Sequence, residues 1–291
     1  MIPEQTGRGD AWRPSSRELE RRDVRRSLRR RSLVVATVAT VVFFVAVWVG
    51  TVSSPGWPTV KSTFFSGQDA RAAMPSIWHA FWRYNVLLFL LGEALILVLA
   101  MVVALVRQSR TPLLLPLRIV AIAYTDLFRG IPTILLVFML AFGMPALNLQ
   151  GITNSLFFWG LVALVLSYGA YVAEVIRSGI ESVHPSQIAS ADALGLTRFQ
   201  AMRYVVVPQG VRRVIPPLLN DFVSLQKDTA LVGAAGLFDA MFAARDYANF
   251  YFNFTPYTVV AGYFIVLTIP LARLTDHLQH RAMERERQGA R

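Results

Sequence analysis

Apolar residues in this chain gather in long blocks; they do not recur at the spacing of a half-buried helix face or an alternating strand. Six blocks approach the length of about 20 residues that a helix needs to cross a hydrocarbon layer of about 30 Å. They lie near 33–52, 84–106, 119–142, 158–178, 212–236 and 256–275. The first, second and sixth are clear from hydropathy alone. The third carries Asp126, Arg129 and Pro132, and the fifth carries Asp221, Lys227 and Asp228, so the apolar signal is diluted in both. The pattern predicts an all-α fold, a polytopic membrane bundle of about six transmembrane helices. A composition of 54% hydrophobic and 16% charged residues points the same way.

The formal charge of +11 raises nucleic acid as a ligand, and the distribution of that charge decides against it. Residues 1–31 hold ten arginines, including the run Arg21, Arg22, Arg25, Arg26, Arg29, Arg30 and Arg31. Placing that end in the cytoplasm also puts Arg107, Arg110 and Arg118 inside, with Arg177, Arg198, Arg203, Arg212, Arg213 and the arginine-bearing tail after 273. The opposite loops are poor in positive charge, holding Lys61, Arg71 and Arg83, then none over 143–157, then Arg245. Six spans with both termini inside satisfy the positive-inside rule, and membrane lipid, not nucleic acid, is the partner of the basic end. A cleaved signal peptide does not fit, because the basic region and the apolar stretch from Leu33 to Gly50 are both too long. Residues 1–31 are polar and low in aliphatics, and are expected to be disordered or to lie along a surface. Cysteine is absent, which excludes disulfides and thiolate metal sites.

Chemistry is constrained first by what is missing. A phosphate-binding loop of the form G-x-x-x-x-G-K-[ST] needs a lysine after glycine. The two lysines follow Val60 and Gln226, so any ATP used must be bound by another chain. No Ser-His-Asp arrangement is present, no catalytic residue is assigned and no metal or cofactor is expected. His277, His280 and Glu284 share a helix face and read as an amphipathic cytoplasmic end. The sequon at Asn253 reads as chance.

The segment His184 to Pro208, HPSQIASADALGLTRFQAMRYVVVP, is the informative cytoplasmic stretch. Pro185 and Ser186 suit a helix start, and Ile188, Ala191 and Leu194 give an apolar stripe. Gly195 suits the left-handed position that ends a helix. Thr197 and Gln200 have capping-box spacing for a second helix, closed by Pro208. Two readings are open on these residues alone, a structured connector or a docking element for a cytoplasmic partner.

This segment resembles the coupling loop of ABC importer permeases, whose pattern is E-A-A, three residues, G, nine residues, then I-x-L-P. Ser190 and Ala191 stand at the alanine positions, Gly195 at the glycine, and Val205, Val207 and Pro208 at the hydrophobic end. Ala189 replaces the usual glutamate, and Asp192, on a neighbouring face, is the candidate substitute. FRGIP (128–132), YGAYVAEVIRSGI (168–180) and VIPPLLNDFVSLQKDTALV (214–232) are similar to the polar amino acid branch, of the histidine, glutamine and glutamate type. The likeness covers roughly Asn85 to Thr275. It implies a type I importer permease core preceded by one extra span, in a bacterial plasma (inner) membrane. It also implies a second permease protomer, identical or a sister chain, ABC ATPase subunits on the coupling loops, and an extracytoplasmic amino-acid-binding protein. The expected organisation is a basic cytoplasmic tail at 1–32, an anchor and external loop at 33–83, and a permease domain at 84–275. The coupling loop spans 184–208 and a cytoplasmic tail follows at 276–291.

Polar residues within the spans are the remaining candidates, since a charge at the centre of a membrane helix is unfavourable by about 2.5 to 3.5 kcal/mol on insertion scales. In the fifth span Asn220, Ser224 and Lys227 fall at i, i+4 and i+7, and Asp221, Ser224 and Asp228 at i, i+3 and i+7. This polar side either forms an interhelical ion-pair network around Lys227 and Asp228 or lines the pathway. Glu174 is either a local ion pair with Arg177 or a contact for a substrate ammonium. Glu93 could neutralise Lys227 or Arg129 across helices, or meet the substrate. Gly130 and Pro132 mark a kink, with Asp126 and Arg129 paired at i,i+3. The rival class is an ion-coupled secondary transporter, which would show inverted repeats or broken helices at midplane.

Overall fold

The computed structural model describes residues 16–109 and 111–289, and every regular element among them is helical. In chain order these are α1 (Ser16–Val52), α2 (Trp57–Phe64), α3 (Gly67–Ala80), α4 (Leu87–Gln108), α5 (Leu115–Gly130), α6 (Thr133–Ala146) and α7 (Leu156–Glu181). Then come α8 (Pro185–Ala193), α9 (Arg198–Ala201), α10 (Val207–Asp228), α11 (Ala230–Ala234), α12 (Ala240–Tyr251) and α13 (Thr255–Gly289). Wide π-type turns at Phe81–Val86 and Met202–Val206 carry α3 into α4 and α9 into α10.

The chain divides into two compact units between Lys61 and Ser62. In the first, α1 runs unbroken from Ser16, so residues 16–31 are helical where a disordered or surface-lying segment was expected. The local reason is composition: arginine, leucine and glutamate have high helix propensity, and no glycine or proline occurs between Ser16 and Val49. Residues 1–15 of the expected tail lie outside the described residues. In the second unit α3 packs its Ala73, Ile77 and Ala80 against Ala240, Ala243 and Ala244 of α12 and Val260 of α13. Asn253 belongs to the same packing: its side chain donates to Ser62 O (3.1 Å) and accepts from Thr255 N (2.9 Å).

The main core of the second unit is centred on α7, which packs against α4, α5, α6 and α10. Leu88, Ile96 and Ala100 of α4 meet Leu164 and Ala173 of α7, Val137 of α6 and Leu225 of α10 there. Closest approach of α7 and α10 is at paired glycines: a Cβ on Gly179 would stand 2.0 Å from Val214 Cγ1 and 3.1 Å from Gly210 O. Only a residue without a side chain lets these backbones meet.

Among the described residues four helical stretches are long and apolar enough to cross a membrane: Arg30–Val52, a portion of Trp57–Gln108, Leu156–Glu181 and Thr255–Gln279. The expected third span is a helix pair, Pro112–Gly130 and Thr133–Ala146, bent by 104°. The kink expected at Gly130 and Pro132 is a full break, and Pro132 accounts for the interruption of the helix at Ile131. Proline disfavours helical geometry in the residue before it, and Ile131 is extended at φ −95°, ψ 126°. α10 occupies the expected fifth span but is too polar to qualify by hydropathy. The tail after 276 continues α13 to Gly289; the side chains of His280 and Glu284 lie outside the described residues.

Candidate functional site

The segment 184–208 folds largely as local chemistry dictates. His184 caps α8 by accepting from Ser186 N (3.2 Å), with Pro185 in the first turn. Gly195 has φ +74°, and the helix closes on it through Gly195 N to Asp192 O (3.0 Å) and Leu196 N to Ala191 O (3.1 Å). The Thr197 and Gln200 capping box is complete: Gln200 N donates to Thr197 Oγ1 (3.3 Å) and Thr197 N to Gln200 Oε1 (2.8 Å). Pro208 does not close the second helix. The π-type turn lies directly before it, so its missing N–H falls at the junction with α10 and the helix runs on.

The expected apolar stripe is not buried as a stripe. Ala191 is buried, but Leu194 is 81% exposed and Phe199 72% exposed, with Ile188 also outward. Ser190 and Asp192 are exposed as well. The helix–glycine turn–helix unit therefore presents apolar side chains at its tip. Beside it a cleft of about 430 Å³ is lined by Gln108, Ile188, Asp192, Arg198 and Met202.

Three arginines, from the C-terminal parts of α4, α5 and α7, converge on one carboxylate. Arg107 donates to Glu174 Oε2 at 2.7 Å and Arg177 to the same oxygen through Nε at 3.1 Å; Arg129 is 3.9 Å away. Arg107 also donates to Thr125 Oγ1 (2.9 Å), and Arg177 reaches Glu181. Arg213 of α10 donates to Ser182 O. Arg129 thus faces Glu174 and the Tyr171 ring, and the expected ion pair with Asp126 is not formed. Glu174 is already compensated by cations from three helices, which sequence spacing could reveal only for Arg177.

The polar side of α10 resolves into separate partners. Asp228 accepts from Tyr168 Oη (2.8 Å), while Lys227 is exposed and forms no ion pair among the described residues, so the expected network around that pair is absent. Asn220 is exposed and Ser224 half-buried. Glu93 pairs with neither Lys227 nor Arg129. It lies half-buried where α4 meets α10, one residue from Gly92, which approaches Leu225, and one turn from Phe89, whose ring is 4.7 Å from Phe222. Asp221, next to Phe222, has a buried Oδ2 with no hydrogen-bond partner. Two carboxylates, Glu93 and Asp221, thus mark the α4–α10 seam.

Sequence reasoning missed a buried network at the far end of α10. Asn85 donates to Asp239 (2.9 Å) and Thr229 (3.3 Å) and accepts from Ala240 N (3.0 Å), while Asp239 caps α12 through Phe242 N (2.8 Å). Gln226, also buried, accepts from Thr268 of α13 (2.6 Å). No group able to hold a metal ion occurs among the described residues.

Helix order, the bent pair and the exposed helix–turn–helix define a polytopic helical membrane protein. The chain belongs to the family of binding-protein-dependent transport system inner membrane components, whose model matches residues 96–284. It is 37% identical over 169 residues to the probable glutamine ABC transporter permease protein GlnM of Bacillus subtilis, covering 57% of this chain and 76% of that one. It is 31% identical over 225 residues to the arginine transport system permease protein ArgU of Corynebacterium glutamicum, covering 73% and 67%. Among solved structures, an amino acid ABC transporter crystallised with histidines superposes with a TM-score of 0.65 at 29% identity, over 72% of this chain and 94% of that one. The methionine ABC transporter MetNI, at 18% identity and a TM-score of 0.59, shares the fold.

Proposed function

We propose that this chain is the membrane-spanning permease subunit of an ATP-driven importer for a polar amino acid. It hydrolyses no ATP itself; ATPase subunits dock on the segment 184–208, a second permease protomer completes the translocation unit, and an extracytoplasmic binding protein delivers the substrate. One observation carries this reading: a locally complete helix, glycine turn and capped helix hold Leu194 and Phe199 in solvent at the register of the family motif. Exposed large apolar side chains on a rigid tip are what a hydrophobic pocket on a partner would receive. The relatives named for glutamine and arginine transport support amino acids as the substrate class. Along the pathway, Glu93 and Asp221 at the α4–α10 seam offer carboxylates to a substrate ammonium, with Asn220 and Ser224 on the same helix.

Coexpression with the ATPase and affinity purification in mild detergent tests the docking. The wild-type chain should retain the ATPase stoichiometrically, and Leu194→Asp with Phe199→Asp should release it without loss of the permease. Retention by the double variant would place docking elsewhere.

A further inference from the structure

The charge on α1 is distributed unevenly in a way that the transport reading does not use. Over residues 16–24, Arg17, Arg21 and Arg22 are balanced by Glu18, Glu20 and Asp23. Over residues 25–31, the sequence RRSLRRR holds five arginines and no acid. The apolar span begins at Arg30 and the helix is continuous across the junction. With a rise of about 1.5 Å per residue, Arg25 stands roughly 8 Å from Arg30 along the axis, whereas Arg17 stands roughly 20 Å away. The excess charge is therefore confined to about one Debye length of the membrane boundary at physiological salt, and the helix beyond it is neutral.

Two features choose between possible anionic partners. At about 100° per residue, the exposed Arg25, Arg30 and Arg31 lie at roughly 0°, 140° and 240° around the axis, forming a collar and not a stripe. A single nucleic-acid strand or an acidic groove on a protein would meet one face; phospholipid headgroups surround a transmembrane helix on all sides. The collar is also fixed to the bilayer by the span that follows, whose opposite end carries Trp48, with the ring of Trp57 from α2 6.3 Å away, aromatic residues of the kind that settle at the headgroup level. Arg25, Arg30 and Arg31 are exposed, as is the apolar surface of the span itself. We infer that residues 25–31 form a binding collar for anionic phospholipid headgroups in the leaflet at the arginine end of α1. The collar holds a local annulus enriched in such lipids and makes the attachment of α1 sensitive to ionic strength. Neither the substrate nor the ATPase enters this inference.

The test uses the full chain in non-ionic detergent, titrated with phosphatidylglycerol or phosphatidylcholine and read by native mass spectrometry, at roughly 50 and 500 mM salt. Wild type should bind phosphatidylglycerol more tightly, with the preference collapsing at the higher salt. Each arginine removed should weaken phosphatidylglycerol binding about fivefold, so Arg30→Gln with Arg31→Gln should weaken it roughly 25-fold. Arg30→Lys with Arg31→Lys, which keeps the charge and guards against misfolding as the cause, should bind as wild type does. The inference is overturned if the glutamine pair binds as wild type does, if the lysine pair is as weak as the glutamine pair, or if the preference survives high salt. It is likewise overturned if a short single-stranded RNA displaces phosphatidylglycerol at equal charge concentration, which would assign the collar to nucleic acid.

Discussion

Replacing Glu174 by glutamine keeps the shape of the side chain and removes the one negative charge on which Arg107, Arg129 and Arg177 converge. Arg107, at 2.7 Å, is the least exposed of the three at 13%, and Glu174 is 20% exposed. Removing one member of a fully buried pair costs about 3 to 5 kcal/mol, because the partner charge is left unmet. Solvent reaches Arg177 and Arg129, at 25% and 40% exposure, and Glu181 still serves Arg177, so the expected loss is smaller. About 2 kcal/mol is expected, equivalent to a fall of roughly 3 °C in Tm for a chain of this size. The assay is thermal unfolding of the purified chain in detergent, followed by intrinsic fluorescence. Arg107→Gln combined with Glu174→Gln should recover about half the loss, since it removes the charge that has lost its partner. An unchanged Tm in Glu174→Gln together with abolished uptake would refute the reasoning. That result would mean that the carboxylate meets the substrate and that its arginines are held by other contacts.

Gly179→Ala should lower stability by about 1 to 3 kcal/mol through the clash with Val214, and Gly179→Ala with Val214→Ala should restore much of it in the same unfolding assay. Asn85→Ala leaves Asp239 and Ala240 N without their buried partner, so a loss of about 2 kcal/mol is expected, with proteolysis first at the start of α12. Glu93→Gln should preserve assembly and basal ATP hydrolysis while reducing uptake at least tenfold in reconstituted vesicles, a loss of about 1.4 kcal/mol of favourable interaction; unchanged uptake would remove Glu93 from the pathway. Cysteine labelling should find Asp192 accessible from the cytoplasm and Asp246 from outside, and the reverse at Asp192 would end the docking proposal.

What was legible in the sequence is what neighbours along the chain determine. Gly195, the Thr197 and Gln200 box and the start of α8 follow from capping rules that act over three or four residues, and the structure forms each of them. The extent of the break at FRGIP was not legible. Pro132 makes Ile131 extended, but the 104° turn depends on what α5 and α6 then pack against. Arg129 was assigned to Asp126, its neighbour on one helix, whereas its nearest carboxylate, Glu174, is 45 residues on and lies on α7. The Asn85 and Asp239 pair spans 154 residues and leaves no periodic mark at all. The polar rows of α10 were visible, yet spacing on one helix could not tell that Asp228 serves Tyr168, or that Asp221 and Glu93 share a seam. Residues 16–31 went astray for another reason: charge density was read as disorder, when a neighbouring span extends a helix into a segment of high propensity.

The central claim, that segment 184–208 links a partner's ATPase cycle to the spans, is tested most directly by measuring ATP hydrolysis and uptake together in vesicles containing Gly195→Val. At φ +74° a β-branched side chain is strained, so the turn that aims Leu194 and Phe199 should deform while the spans, whose hydropathy is untouched, still insert. The account predicts that the variant loses ATPase binding, or hydrolyses ATP without uptake. Wild-type values for both rates in a correctly inserted variant would contradict it.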